Sequence, residues 1–147
     1  MIDLTSGREE EFPIPVQKLW KTVADFGAIG TWWPEGMLEK VEVAGEGAGM
    51  VRSIHTTVGI VLHEKLESID HDARILELSI VGDLPAGIQD YHATGRICEG
   101  EDDNCVLIWE GRYKVPSADA EQSARGFIEG AYGAMFSGLR DFLTKEA

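Results

Sequence analysis

Ser117–Lys145, SADAEQSARGFIEGAYGAMFSGLRDFLTK, is the stretch whose reading decides the fold. Its apolar residues recur at Ala124, Phe127/Ile128, Ala131, Met135, Leu139 and Phe142/Leu143. Steps of three and four make one stripe of an amphipathic helix. Asp119 with Gln122 has the spacing of a capping box at its start. At 1.5 Å per residue the helix would span roughly 40 Å, the length of a small domain. Gly126, Gly130, Gly133 and Ser137 form a second stripe on the opposite side. Each interior glycine costs about 0.5–1 kcal/mol relative to alanine. The stripe therefore reads either as a solvent face or as a surface where a second copy packs closely, a homodimer.

Upstream of this helix the chain is mostly strands. Residues 3–12 read as a first strand, stopped by Pro13 and Pro15. Val16, Leu19, Trp20, Val23 and Phe26 then give a helical stripe that ends at Gly27. Ala28 to Trp33 reads as a second short helix, stopped by Pro34. Trp32 and Trp33 cannot face the same way, so one covers the core and the other lines an edge or a pocket mouth.

From Leu38 the period is that of strands. Ile60, Leu62 and Leu66 share one face with Glu64, while His63, Lys65 and Glu67 take the other. Leu76, Leu78 and Ile80 face inward from the next strand, and the loop Gly82–Gly87 carries an exposed apolar tip. Ile88–Cys98 turns Tyr91, Ala93, Gly95 and Ile97 inward. The last strand turns Cys105, Leu107, Trp109, Gly111 and Tyr113 inward. Met50–Thr57 shows no clean alternation, so the side on which Arg52 and His55 lie stays open.

Strand, two short helices, six strands and a long helix predict an α+β fold: a seven-stranded curved antiparallel sheet wrapped around the C-terminal helix. Residues 1–147 read as one domain. Its inward faces mix large rings (Trp109, Tyr91, Tyr113) with very small residues (Ala93, Gly95, Gly111). Glycines let a sheet bend and leave volume unoccupied, which is how a pocket would be written.

A net charge of −13 argues against nucleic acid and anionic membrane surfaces. No apolar run approaches the ~20 residues of a membrane span. The acidic N-terminus has no apolar segment of the signal-peptide kind, and two cysteines are too few for a disulfide framework. The expectation is a cytoplasmic protein with no membrane insertion. By parity Cys98 points out and Cys105 in, so a bond between them would need a bulged hairpin.

Pro15-Val16 with Trp20, Trp33-Pro34, Gly45-Glu46-Gly47-Ala48-Gly49-Met50-Val51-Arg52, Glu64, Asp70 with Arg74, Asp90-Tyr91 and the closing helix follow one another in an order. That order resembles the START-related helix-grip superfamily (SRPBCC), in its polyketide cyclase/dehydratase-like branch. The resemblance covers nearly the whole chain and implies an apolar cavity between sheet and helix. The plant abscisic acid receptors share that layout. Glu64 and Tyr91 match the strand glutamate and hairpin tyrosine that face their ligand. Thr57-Val58-Gly59 and Leu84-Pro85-Ala86 lack the receptors' gate and latch residues, so a hormone-receptor role is not implied.

Glu64 is the leading candidate. A carboxylate on an apolar face is desolvated, which favours its neutral form. It would accept a hydrogen bond from a ligand hydroxyl, pair with a cation or act as a catalytic general base. A structural bridge to Arg52 is the plainer reading. Tyr91 offers a ring and a hydroxyl donor. Trp109, Trp33, Arg52, Leu62, Leu78, Ala93, Phe127, Ala131 and Met135 complete the expected ligand-binding lining. No cofactor is expected. Gly45–Gly49 joins strand to strand and lacks the helix N-terminus of a dinucleotide site. No histidine or cysteine spacing suits a metal, and Cys105 has no evident base. The leading function is binding or carriage of a lipid, polyketide, isoprenoid or aromatic molecule. The alternatives are a cyclase/dehydratase-like enzyme using Glu64 with Tyr91 or Arg52, and a co-chaperone-like interaction module.

Overall fold

A computed structural model describes residues 1–145. Its elements are β1 (Ile2–Phe12), α1 (Val16–Ala24), a 3-10 turn (Phe26–Thr31), β2 (Leu38–Ala44), β3 (Val51–Thr56), β4 (Val61–Asp70) and β5 (Ile75–Val81). A second 3-10 turn (Pro85–Gly87), β6 (Gln89–Glu99), β7 (Cys105–Val115), a third turn (Ala118–Ala120) and α2 (Glu121–Thr144) complete them. The strands form one seven-stranded antiparallel sheet in the order β1-β7-β6-β5-β4-β3-β2. The expected helix-grip architecture is the observed one.

Sequence order is kept throughout the sheet except that β1 crosses to pair β7, from Ile2↔Val115 to Phe12↔Cys105. Pro15 precedes the first helical residue with φ −63°, and α1 buries Val16, Leu19, Trp20 and Val23. That i, i+3, i+4, i+7 set is one helical face. Phe12 and Phe136 are fully buried, with ring centroids 6.1 Å apart. They join β1 to the second half of α2.

Several boundaries differ from the sequence reading, each for a local reason. The second short helix is a 3-10 turn over Phe26–Thr31, not a helix over Ala28–Trp33. Pro34 biases Trp33 away from the helical region, and Gly27 and Gly30 weaken a regular helix. Asp119 lies in the 3-10 turn before α2 and caps nothing; Ala120 is at the cap, without a side-chain bond. Glu121 instead supplies the first-turn negative charge and takes a 2.9 Å bond from Arg125. The loop tip is not exposed: Leu84 and Ala86 are partly buried against the core. Phe142 is 48% exposed, so it does not belong to the buried stripe.

The helix keeps Ala124, Ile128, Met135, Leu139 and Leu143 of the expected stripe buried, adds Tyr132, Phe136 and Gly138, and leaves Phe127 and Ala131 only partly covered. Gly138, outside the expected glycine stripe, has a packing role. A methyl group on it would run into the Trp32 carbonyl and the Pro34 ring. Gly126 and Gly130 have open space at the corresponding position.

The two kinds of glycine make opposite predictions. Gly138→Ala should lower stability by about 1–3 kcal/mol, because an overpacked contact forces backbone or ring to shift. Gly130→Ala should raise it by about 0.5–1 kcal/mol through helix propensity. Urea midpoints at unchanged slope would check both.

Candidate functional site

Arg52 decides the interior electrostatics. β3 alternates in burial, with Arg52 and Ile54 pointing in. Register places Arg52 directly opposite Glu64. Arg52 Nε donates to Glu64 Oε1 at 2.7 Å, and Nη2 lies 2.7 Å from the same oxygen. Nη1 donates to the Phe26 carbonyl at 2.8 Å, and the guanidinium stacks 3.8 Å from the centre of the Phe26 ring. Arg52 is 6% exposed. Burial lowers its pKa from the usual arginine value, and Glu64 opposes that shift. The plainer of the two sequence readings, a bridge to Arg52, is the one observed: Glu64 gains a cation where it loses water. Both charges sit in a low-dielectric interior and are mutually neutral.

Tyr91 reaches the interior through a β-bulge. Pairing shifts between Gln89↔Lys114 and His92↔Arg112, and Asp90 takes φ +53°. The extra residue lets Ile88 and Tyr91 both point inward. The Tyr91 hydroxyl meets the Tyr132 hydroxyl at 2.6 Å. That oxygen of Tyr132 fills the space a side chain on Gly111 would need. Burial raises both phenol pKa values above the ordinary 10.0, and Glu64 pushes the same way in each. Both tyrosines are therefore neutral donors near neutral pH, not bases.

Gly95 has a similar use. The six-membered ring of Trp109, on the neighbouring strand, lies over it. Gly95 and Gly111 therefore seat an indole and a phenol rather than leaving empty volume, a correction to the sequence reading. The void lies beyond them, between β3–β7 and the first half of α2. It measures about 400 Å³ and is mostly apolar, within the range of small-molecule pockets.

Around that cavity the structure brings together Trp33, Arg52, Leu62, Glu64, Leu78, Tyr91, Trp109, Phe127, Ala131 and Met135, as expected. Trp32 is the core tryptophan. Ala93 is a miss: it is 1% exposed but does not line the cavity. It sits between Leu78 and Gly111, and its methyl is too short to pass them and the Tyr132 ring above Gly111. Tyr132 was missed in turn, as were Gly126 and Gly130, which lie at the cavity on the side once assigned away from it. Tyr132 faces a glycine on β7, a pairing that spacing within α2 does not reveal.

The remaining candidates lie elsewhere. His55 Nε2 is 2.6 Å from Glu42, His63 Nδ1 is 2.7 Å from Ser53, and His92 is exposed. Cys98 and Cys105 are free. Burial, with help from Glu11, pushes the Cys105 thiol up to about 11, so it is no ready nucleophile. Among the described residues no helix is long and apolar enough to cross a membrane.

A curved sheet gripping a C-terminal helix around an apolar cavity defines a helix-grip protein of the SRPBCC superfamily. More particularly, the chain belongs to the family described as polyketide cyclase / dehydrase and lipid transport, whose model matches residues 5–143. No curated protein matches the sequence. Among solved structures, Thalictrum flavum norcoclaurine synthase in complex with dopamine and hydroxybenzaldehyde superposes with a TM-score of 0.83 at 18% identity, covering 99% of this chain and 89% of that one. An uncharacterised Bacillus thuringiensis protein gives 0.82 at 19%, covering 97% and 100%. A Thermobifida fusca protein gives 0.79 at 23%, covering 95% and 92%. These likenesses carry the fold, and the family supports hydrophobic ligand binding in general terms.

The buried pair predicts a strong non-additivity. Arg52→Met should cost about 3–5 kcal/mol by leaving Glu64 uncompensated, and Arg52→Met with Glu64→Leu should recover most of it. Denaturant unfolding of the two single variants and the double variant measures this. The tyrosines predict an alkaline limit. Unfolded phenols ionise near pH 10, while the folded chain holds Tyr91 and Tyr132 neutral. The stabilisation is complete below pH 10 and is lost as pH rises above it. Phenolate absorbance should therefore show Tyr91 and Tyr132 ionising only as the protein unfolds.

Proposed function

We propose that the chain binds and carries a hydrophobic small molecule in the cavity between sheet and α2. One observation carries this reading: a mostly apolar void of about 400 Å³ whose polar lining groups are largely satisfied by one another. Arg52 is committed to Glu64 and the Phe26 carbonyl, and Tyr91 to Tyr132. Affinity would come from burying apolar ligand surface, at about 25 cal/mol per Å².

Gly126 and Gly130 support a particular entrance. They line the cavity from the exposed side of α2, with open space beside them. Met37 and Val58, 44% and 78% exposed, line it from the sheet side. Thr57 Oγ1 donates to the Gly36 carbonyl at 2.9 Å, which ties that side of the mouth together. A ligand would pass between these two edges.

The cyclase/dehydratase-like reading asks Glu64 with Tyr91 or Arg52 to work as an acid–base pair. Each of these groups already has a protein partner, which favours carriage over turnover.

An apolar fluorophore such as 1-aminoanthracene should bind at one site per chain. Ala131→Trp, which fills the cavity, should weaken it at least tenfold while leaving the thermal midpoint within a few degrees. Absence of binding across aromatic, isoprenoid and fatty-acyl probes would defeat the proposal. Turnover of any bound candidate, lost in Glu64→Gln with binding retained, would replace carriage with catalysis.

A further inference from the structure

Arg52 engages only one of the two carboxylate oxygens of Glu64. Its Nε and Nη2 both approach Oε1, each at 2.7 Å. Oε2 takes no hydrogen bond from the described residues. The unpaired side-chain atoms that are also sealed from water among those residues are Trp32 Nε1, Arg74 Nε and Trp109 Nε1. Glu64 Oε2 is unpaired without being sealed, and 14% of the side chain's surface stays accessible. Register fixes what that surface faces. Arg52 on β3 and Ile80 on β5 flank Glu64 across the sheet. Leu62 and Leu66 lie before and after it on the same inner face. The open side of the carboxylate is therefore the cavity that it lines.

A carboxylate at such a wall can pair with a cation, take a proton or accept a hydrogen bond. Arg52 already fills the first role. A second cation beside the pair would be a buried charge without a counter-ion. Taking a proton would leave Arg52, itself 6% exposed, as a lone cation in the same low-dielectric interior. A ligand anion would meet the carboxylate directly. Accepting a hydrogen bond keeps the pair neutral and uses the free oxygen. The hydroxyls of Tyr91 and Tyr132 are bonded to each other rather than to it.

We infer that Glu64 Oε2 receives the hydroxyl proton of an uncharged bound molecule, so that the ligand is an alcohol or phenol rather than an amine, an acid or a plain hydrocarbon. This rests on the cavity being a ligand site and names the polar end of what fills it. Arg52 is the positioning residue: it grips Oε1 twice while Nη1 is tied to the Phe26 carbonyl, which holds Oε2 toward the cavity. The apolar remainder of the ligand would lie along Leu62, Leu78 and Met135.

Three probes of nearly one shape test it: 2-naphthalenemethanol, 2-ethylnaphthalene and 2-naphthylmethylammonium. The alcohol is better solvated in water than the hydrocarbon, so the quantity to compare is their affinity ratio in two proteins. One is the wild type; the other carries Arg52→Met with Glu64→Leu, which keeps an apolar wall and removes the acceptor. The ratio of alcohol to hydrocarbon affinity should fall about tenfold or more in the double variant, the worth of one hydrogen bond to a charged group. In the wild type the ammonium should bind more weakly than the alcohol. A readout without any variant accompanies these. The carboxyl carbon-13 resonance of Glu64 should move clearly more with the alcohol than with the hydrocarbon.

An unchanged ratio, tightest binding of the ammonium, or a carboxyl signal that responds alike to alcohol and hydrocarbon would each overturn the inference and leave hydrophobic binding standing. Should the double variant fail to fold, the wild-type ranking and the carboxyl signal decide by themselves. If the hydrocarbon binds and the alcohol does not, the inference again falls alone. If no apolar probe binds, the reading beneath it fails as well.

Discussion

The distance between α2 and the sheet is set where Tyr132 meets Gly111. The phenol oxygen occupies the space a side chain on β7 would need, then bonds to Tyr91 on β6. One contact thus fixes helix height, helix rotation and the position of a cavity-facing hydroxyl. Farther along the helix, Phe136 against Phe12 and Gly138 against Trp32 close the layers completely. Toward the start of α2 nothing of that size crosses the gap. Phe127 and Ala131 stop short, and the void is what remains.

The strands that face this void carry a charge pair that ordinary core design would avoid. Replacing a buried ion pair with packed apolar residues is often neutral or stabilising. Here the pair also holds the chain outside the sheet: Arg52 binds the Phe26 carbonyl and stacks on its ring. The 3-10 turn that follows α1 is thereby fastened across β3, and Trp33 follows it to the cavity wall. Loss of the arginine would remove a cation, a ring contact and a backbone anchor at once.

Most of the architecture was legible because β4, β5, β6 and β7 alternate cleanly. Their parity put Glu64, Leu78, Tyr91 and Trp109 on the inner face, where they are. β3 carried no such signal, since Arg52 and Ile54 point in while Val51, Ser53 and His55 are only partly covered. A polar residue that is buried because it is paired reads like one that is exposed. In α2 the period was right; the stripe kept both neighbours at Phe127/Ile128 and Phe142/Leu143 but took Ala131 in place of Tyr132. Phe127, Ala131 and Phe142 lie one position from Ile128, Tyr132 and Leu143, a rotation of about 100°. Apolar spacing cannot choose between two such adjacent stripes. Only the match of a large side chain to Gly111 does, and that pairing is invisible until the layers are brought together. The small inward residues misled for the same reason, because a glycine under an indole and a glycine beside a void look alike in one dimension.

The size of the void constrains its contents. Residual cavity volume costs roughly 24 cal/mol per Å³, so about 400 Å³ kept dry and closed would cost about 10 kcal/mol. That is comparable to the whole stability of a domain. A sealed and empty interior of this size is therefore not a state the chain can hold. The glycines at the mouth resolve the difficulty. Gly126 and Gly130 line the cavity with open space beside them, so an entrance there would let water fill the void until something apolar replaced it. Each of those glycines costs helix stability of about 0.5–1 kcal/mol, far less than sealing the void would. On the proposed function the open mouth and the unfilled core would be one structural decision, and release of that poorly bonded water would drive a ligand in.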